Sequence, residues 1–168
     1  LWFLLDAAIY LNEKKLSSFV QEEFYKLIKP NKNTHDIVLG NAGYGMAAIH
    51  FYISTKKDIF LKRAIELGEF IEKESRMLNS MLVWPLENEI FYGFAHGNAG
   101  ICHFFNILYA ITKNLYYLET AKKASEIIIS NAFVERGIAS WNFGPNNRKK
   151  WSHWCNGSSG IGSTLARM

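Results

Sequence analysis

Among 168 residues there are two cysteines, Cys102 and Cys155, and three prolines. Two thiols cannot build the disulfide framework of a small secreted scaffold, so a reducing compartment is the expectation. No apolar run reaches the ~20 residues of a membrane span. No basic n-region with a small-residue cleavage site is visible either. Charge of one sign is scarce: 19 Lys and Arg against 15 Asp and Glu leave +4. The one basic cluster, Arg148-Lys149-Lys150, reads as a solvated surface loop, with an anionic or peptide partner left open. No basic stripe with interleaved aromatics runs along an element, which argues against a nucleic-acid partner. A cytoplasmic protein is therefore expected. What is abundant is apolar: 49% hydrophobic and 15% aromatic residues suit a packed core.

A phrase recurs in this apolar chain. Gly40-Asn41-Ala42-Gly43 returns as Gly97-Asn98-Ala99-Gly100, 57 residues later, and a looser copy, Gly157-Ser158-Ser159-Gly160, follows after 60 more. At the 57-residue offset Trp84 falls on Trp141, Tyr52 on Tyr109, Thr55 on Thr112 and Ile71 on Ile128. A period of this size means stacked supersecondary units that bury their apolar faces against one another.

Periodicity predicts helices over Leu1–Leu11 and Leu16–Lys29, the second stopped by Pro30. Ala42–Ser54 is apolar nearly all round, as an inner helix would be. Asp58–Glu74 carries one stripe (Leu61, Ala64, Ile65, Gly68, Ile71) opposite a charged face, as an outer helix would. Ala99–Ile111 and Tyr116–Ser130 repeat the pair. The returns, Asn79–Phe94 and Asn131–Trp154, are long and aromatic, with short strands expected at Met81–Trp84 and Ala139–Trp141. Inner helices entered through glycine turns form an open solenoid or a closed ring. In a ring, the residues ahead of each turn meet at one mouth: Asp36, His96 and Cys155.

Each has a bland reading. The paired glycines permit positive φ and close approach, and helix starts with free N–H groups suit an anion. A lone His in an aromatic segment is usually structural, but an imidazole ahead of a repeated turn can exchange a proton. A single Cys is more often a small hydrophobe than a ligand, and zinc needs further thiolates or imidazoles. His153 is a poor co-ligand, and Cys102-His103 lies inside an inner helix, where neighbours diverge. Asp36 reads equally as a cap. Glu87 and Glu89 are the one close carboxylate pair in a return, which a glycoside hydrolase would need.

Taken in order, three segments resemble the signatures of the lanthionine synthetase C-like (LanC-like) cyclases. Asp36-Ile37-Val38-Leu39-Gly40-Asn41-Ala42-Gly43 is similar to Asp-x-x-x-Gly-x-x-Gly. Gly93-Phe94-Ala95-His96-Gly97-Asn98-Ala99-Gly100-Ile101 is similar to Gly-x-x-His-Gly-x-x-Gly-Ile. Trp154-Cys155-Asn156-Gly157-Ser158-Ser159-Gly160-Ile161 is similar to Trp-Cys-x-Gly-x-x-Gly-Ile. The resemblance implies an all-α fold, an α/α toroid of seven inner and seven outer helices, of which residues 1–168 would hold about three hairpins as a partial cyclase domain. It implies one zinc ion, bound by two cysteines and a histidine. It implies addition of peptide Cys thiols to dehydroalanine or dehydrobutyrine, giving the thioether rings of lanthipeptides. Carried over, Cys155 would be a zinc ligand, His96 the acid–base residue, and Asp36 an aid to proton handling or substrate positioning near the same mouth. The partner is a dehydrated precursor peptide, with a dehydratase or kinase-like domain or subunit possible.

The chain departs from that pattern in lacking the downstream Cys-His pair, and Asn156 stands where many members have Tyr or His. Leu1 in place of Met, and Met168 within an apolar stretch, lead to the expectation of a fragment cut at both ends. Whether the chain is an enzyme is thus open, and a catalytically inactive peptide- or thiol-binding module is the alternative.

Overall fold

The computed structural model describes residues 1–168. Seven helices run along the chain: α1 (Trp2–Tyr10), α2 (Lys14–Leu27), α3 (Asn41–Thr55), α4 (Asp58–Lys73), α5 (Asn98–Thr112), α6 (Leu115–Ser130) and α7 (Ser158–Leu165). Six short strands form three antiparallel hairpins: β1 (Arg76–Leu78) with β2 (Met81–Val83), β3 (Phe133–Glu135) with β4 (Ile138–Ser140), and β5 (Asn142–Gly144) with β6 (Asn147–Lys150). The fold is mostly helical, as expected. No helix is long and apolar enough to cross a membrane.

The helices form two layers. Each of α1, α3 and α5 packs on the helix that follows it, while α1, α3, α5 and α7 pack side by side in a row. Patterning explains the assignment. Eight consecutive residues of α5, Asn98 to Phe105, are buried, so it touches neighbours on every side. In α4 only Phe60, Ala64, Leu67, Gly68 and Ile71 are buried, one stripe at helical spacing. That stripe is turned slightly from the one expected, because Phe60 enters the aromatic cluster with Phe51 (ring centroids 5.2 Å apart) and Phe24 (5.9 Å), leaving Leu61 and Ile65 half-buried. Inner helices approach closely where glycine removes bulk: a Cβ at Gly45 would overlap the Phe104 ring.

The 57-residue period is reproduced bond by bond. Trp84 Nε1 donates to the Ile71 carbonyl at 2.6 Å, and Trp141 Nε1 to Ile128 at 2.8 Å. Thr55 and Thr112 each bond the carbonyl four residues back at 2.7 Å. α3 and α5 both end on a left-handed lysine, Lys56 at φ 57° and Lys113 at φ 59°. Even β1–β2 and β3–β4 correspond, since Arg76 opposite Val83 becomes Phe133 opposite Ser140. Each indole ties its return to the outer helix of its own repeat, and so fixes where the next turn begins.

Candidate functional site at the turns

The three turns share one backbone. In each, the first N–H groups of the inner helix are taken by carbonyls seven residues earlier. Asn41, Ala42 and Gly43 donate to Thr34, His35 and Asp36; Asn98 and Ala99 to Phe91 and Tyr92; Ser158 and Ser159 to Trp151 and Ser152. The segment ahead of each helix thus folds over its N-terminus and caps it with main chain. This argues against the anion site suggested by free donors there, since the first two N–H groups of each inner helix are already satisfied. Of the two reasons expected for the glycines, close approach holds and positive φ does not. The N-caps Gly40, Gly97 and Gly157 lie in the extended region, at φ −121°, −142° and −113°. What they provide is room. A Cβ on Gly43, Gly100 or Gly160 would overlap the carbonyl oxygen of Ile37, Phe94 or Trp154 respectively.

Neighbouring turns are hydrogen-bonded to one another. Val38 N donates to Ala95 O at 3.3 Å and Ala95 N to Cys155 O at 2.7 Å. Val38, Ala95 and Cys155 all sit two residues ahead of an N-cap glycine, so equivalent residues bond in series, and α3, α5 and α7 start from the same end. That common end is the mouth.

Two of the three sequence candidates meet there by side chain. His96 Nδ1 lies 2.9 Å from Asp36 Oδ2. The Leu39 N–H donates to the other carboxylate oxygen at 2.6 Å. An ionised carboxylate only accepts, so Nδ1 carries the hydrogen and Nε2 is left as the working nitrogen. The carboxylate is 4% exposed and the imidazole 29%, so the buried group orients the accessible one. Cys155 joins by main chain only, through its carbonyl; its half-buried thiol lies outside the His96–Asp36 pair. Val38, Leu39 and Trp154, all exposed, give the mouth an apolar rim.

Superposing the turns on their glycines exposes a signal that motif reading missed. Asp36 and Gly93 are equivalent, as are His96 and Asn156. The Asp36–His96 contact therefore recurs as a contact of Gly93 with Asn156, where a Cβ on Gly93 would overlap the Asn156 backbone. One copy of the contact carries two titratable groups, and the other brings main chain together. Asn41 and Asn98 were likewise unrecognised. Asn41 binds both main-chain groups of Asn31, by N–H at 2.8 Å and carbonyl at 2.7 Å, and the His35 ring at 3.1 Å. Asn98 donates to Leu82 at 2.7 Å and Ala124 at 3.2 Å, clamping β2 and α6 to the start of α5.

The other candidates fall away. Cys102 is fully buried, its thiol donates to Ala121 O at 3.3 Å, and burial pushes its pKa to about 12. Burial, helped by Arg167, holds the pKa of His103 below the ordinary 6.5. Glu87 and Glu89 are exposed at the tip of a tight turn closed by the Leu86–Glu89 bridge. No three His, Cys, Asp or Glu side chains converge as a metal site.

Comparison with known proteins gives a family. The model of the family described as "Lanthionine synthetase C-like protein" matches residues 1–168. No curated protein matches the chain.

Proposed function

We propose, from the premise that the chain belongs to the lanthionine synthetase C-like family, that it forms part of a peptide cyclase whose acid–base residue is His96, oriented by Asp36. The observation that carries the proposal is the 2.9 Å contact between His96 Nδ1 and a buried carboxylate, with the ring itself facing the mouth.

The chemistry follows from that arrangement. A peptide cysteine thiolate attacks the β-carbon of a dehydroalanine or dehydrobutyrine. The S–C bond forms as the C=C π bond breaks, and the electron pair moves onto the α-carbon and carbonyl as an enolate. His96, protonated on both nitrogens, delivers the Nε2 proton to the α-carbon while Asp36 holds the Nδ1–H. The proton lost by the thiol restores the imidazolium, so the net change is one thioether with no loss of mass.

Zinc does not fit the residues of this chain taken alone. Cys155 belongs to no group of three His, Cys, Asp or Glu side chains, and Cys102 is sequestered in the core. Under the cyclase reading Cys155 would be one zinc ligand, and these residues do not complete a site for the ion. The same observation favours a second reading, an inactive module that binds peptide or thiol. The substrate is a dehydrated precursor peptide, supplied by a dehydratase or kinase-like partner, in the cytoplasm.

The test uses the full-length protein and a dehydrated peptide bearing one cysteine, with free thiols trapped by alkylation and counted by mass spectrometry. Wild type should protect the thiol. His96→Asn should slow protection by about 10²–10⁴-fold, the contribution typical of a general acid. Normal closure by His96→Asn would remove the assignment, and no closure by wild type with zinc supplied would favour the binding module.

A further inference from the structure

The two returns that border the mouth carry opposite charge. The tight turn of the first carries Glu87 and Glu89, and strand β6 of the second carries Arg148, Lys149 and Lys150. Residues 132–154 hold four basic side chains against one acidic, which is +3 of the chain's net +4. The returns touch where residues 90–92 meet β5. Tyr92 N donates to Phe143 O at 2.7 Å, and a Cβ on Gly144 would overlap the Ile90 carbonyl oxygen. None of these five charged side chains takes part in a salt bridge; Lys150 Nζ instead sits 3.8 Å over the Phe133 ring.

Beyond the basic strand lies a shallow groove lined by Lys150, Trp151, Ser152 and His153, two residues ahead of Cys155 in the chain. Its aromatic wall is braced: Trp151 packs edge-on against Phe143, ring centroids 4.5 Å apart. The anchor is buried, since Trp141 and Phe143 hold the base of the hairpin in the core while Arg148 to Trp151 stay exposed. Three exposed cations without a carboxylate partner, beside an exposed indole on a braced hairpin, have the chemistry of a site for an extended acidic peptide with apolar residues.

We propose that the basic strand β6 and the Lys150–His153 groove bind an acidic segment of the peptide substrate, and that the Glu87/Glu89 turn sets its polarity by repelling that segment from the first return. The identity of this peptide as substrate rests on the cyclase reading; the binding does not. An acidic segment held at Arg148–Lys150 places the residues that follow it in the groove, moving toward Cys155 and His96. Charge on this rim acts through steering and orientation, and is therefore sensitive to salt.

The experiment is fluorescence anisotropy with the full-length protein and a labelled Glu- and Leu-rich peptide that contains neither cysteine nor dehydro residues. Arg148→Glu/Lys149→Glu/Lys150→Glu should weaken binding about tenfold or more, as the loss and reversal of three rim contacts implies. Glu87→Lys/Glu89→Lys should tighten it, and raised salt should weaken wild type more than the triple variant. All five positions are exposed, and circular dichroism confirms that the variants stay folded. Equal binding by wild type and the triple variant overturns the proposal. So does equal binding of a Lys-rich peptide, of RNA or of phosphatidylserine vesicles, since the surface would then lack preference for an acidic peptide. Failure of the cyclase reading leaves this binding intact, whereas failure of the docking proposal leaves thiol protection by wild type intact.

Discussion

The turn over residues 34–43 and the turn over residues 91–100 share a backbone and differ in what they present. In both, carbonyls seven residues back cap the inner helix, an extended glycine opens it, and a second glycine lets a carbonyl come close. In the first, the position four residues before the N-cap glycine is Asp36; in the second it is Gly93. In the second, the position just before the glycine is His96; in the first it is Leu39. The scaffold depends on main chain and on the absence of Cβ atoms, so positions outside that requirement are free to differ. Chemistry enters at those positions, and only the contact between the first and second turns has an acid facing a base.

Breaking the scaffold should have the largest effect. Gly100→Val pushes a side chain into the Phe94 carbonyl, with Ile37 close behind, and should cost more than about 3 kcal/mol or prevent folding. Gly162→Ala, in open space on α7, should instead stabilise by about 0.5–1 kcal/mol. Urea unfolding of both variants compares the two kinds of glycine directly.

The repeated indoles test whether the copies are energetically equivalent. Trp84→Phe and Trp141→Phe each remove a buried N–H donor. The Ile71 carbonyl is then left unpaired, at a cost of about 1–3 kcal/mol, whereas the Ile128 carbonyl keeps the Asn131 N–H at 3.2 Å and should lose less. Thermal denaturation should give the larger loss for Trp84→Phe. Matched losses would show that the packing around the indoles, not the carbonyl each one serves, sets their value.

Two buried histidines give a smaller effect that depends on pH. His35 in the first repeat and His103 in the second both have pKa values held below 6.5, chiefly by burial. The unfolded chain then binds more protons than the folded one as pH falls through 6.5, so stability is complete above that pH and declines below it. His103→Phe should flatten the decline between about pH 6.5 and 5, measured by unfolding at fixed urea.

The smallest effect sharpens the match between repeats. Lys56→Gly and Lys113→Gly each relieve a left-handed residue at the end of an inner helix and should stabilise by about 0.5–1 kcal/mol, equally, on the same urea scale.

Much of this architecture was legible in the residues, because the repeat is written in side chains that pack. Trp84 and Trp141, Thr55 and Thr112, and the apolar inner against striped outer helices each mark an element, and the helix bounds agree within a few residues. What could not be read is carried by main chain. Carbonyl capping leaves no residue signature beyond glycine, and glycine alone suggested positive φ where the backbone is in fact extended. The buried face of α4 turned on which aromatic wins the contact with Phe24 and Phe51, a choice made by tertiary packing. The meeting of Asp36 and His96 was foreseeable only by supposing a shared mouth; aligned on their glycines, the turns also show why Gly93 stands where Asp36 would otherwise recur. Cys155 illustrates the limit, since its position in the series is readable but no group of three His, Cys, Asp or Glu side chains forms around it.

The most direct measurement is a double-mutant cycle on ring-closure rate in the full-length protein, comparing Asp36→Asn, His96→Asn and the double variant. If Asp36 acts by orienting His96, the double variant should close rings no more slowly than His96→Asn alone, because the two residues act as a unit. Losses that add in free energy would show two independent roles and contradict the account.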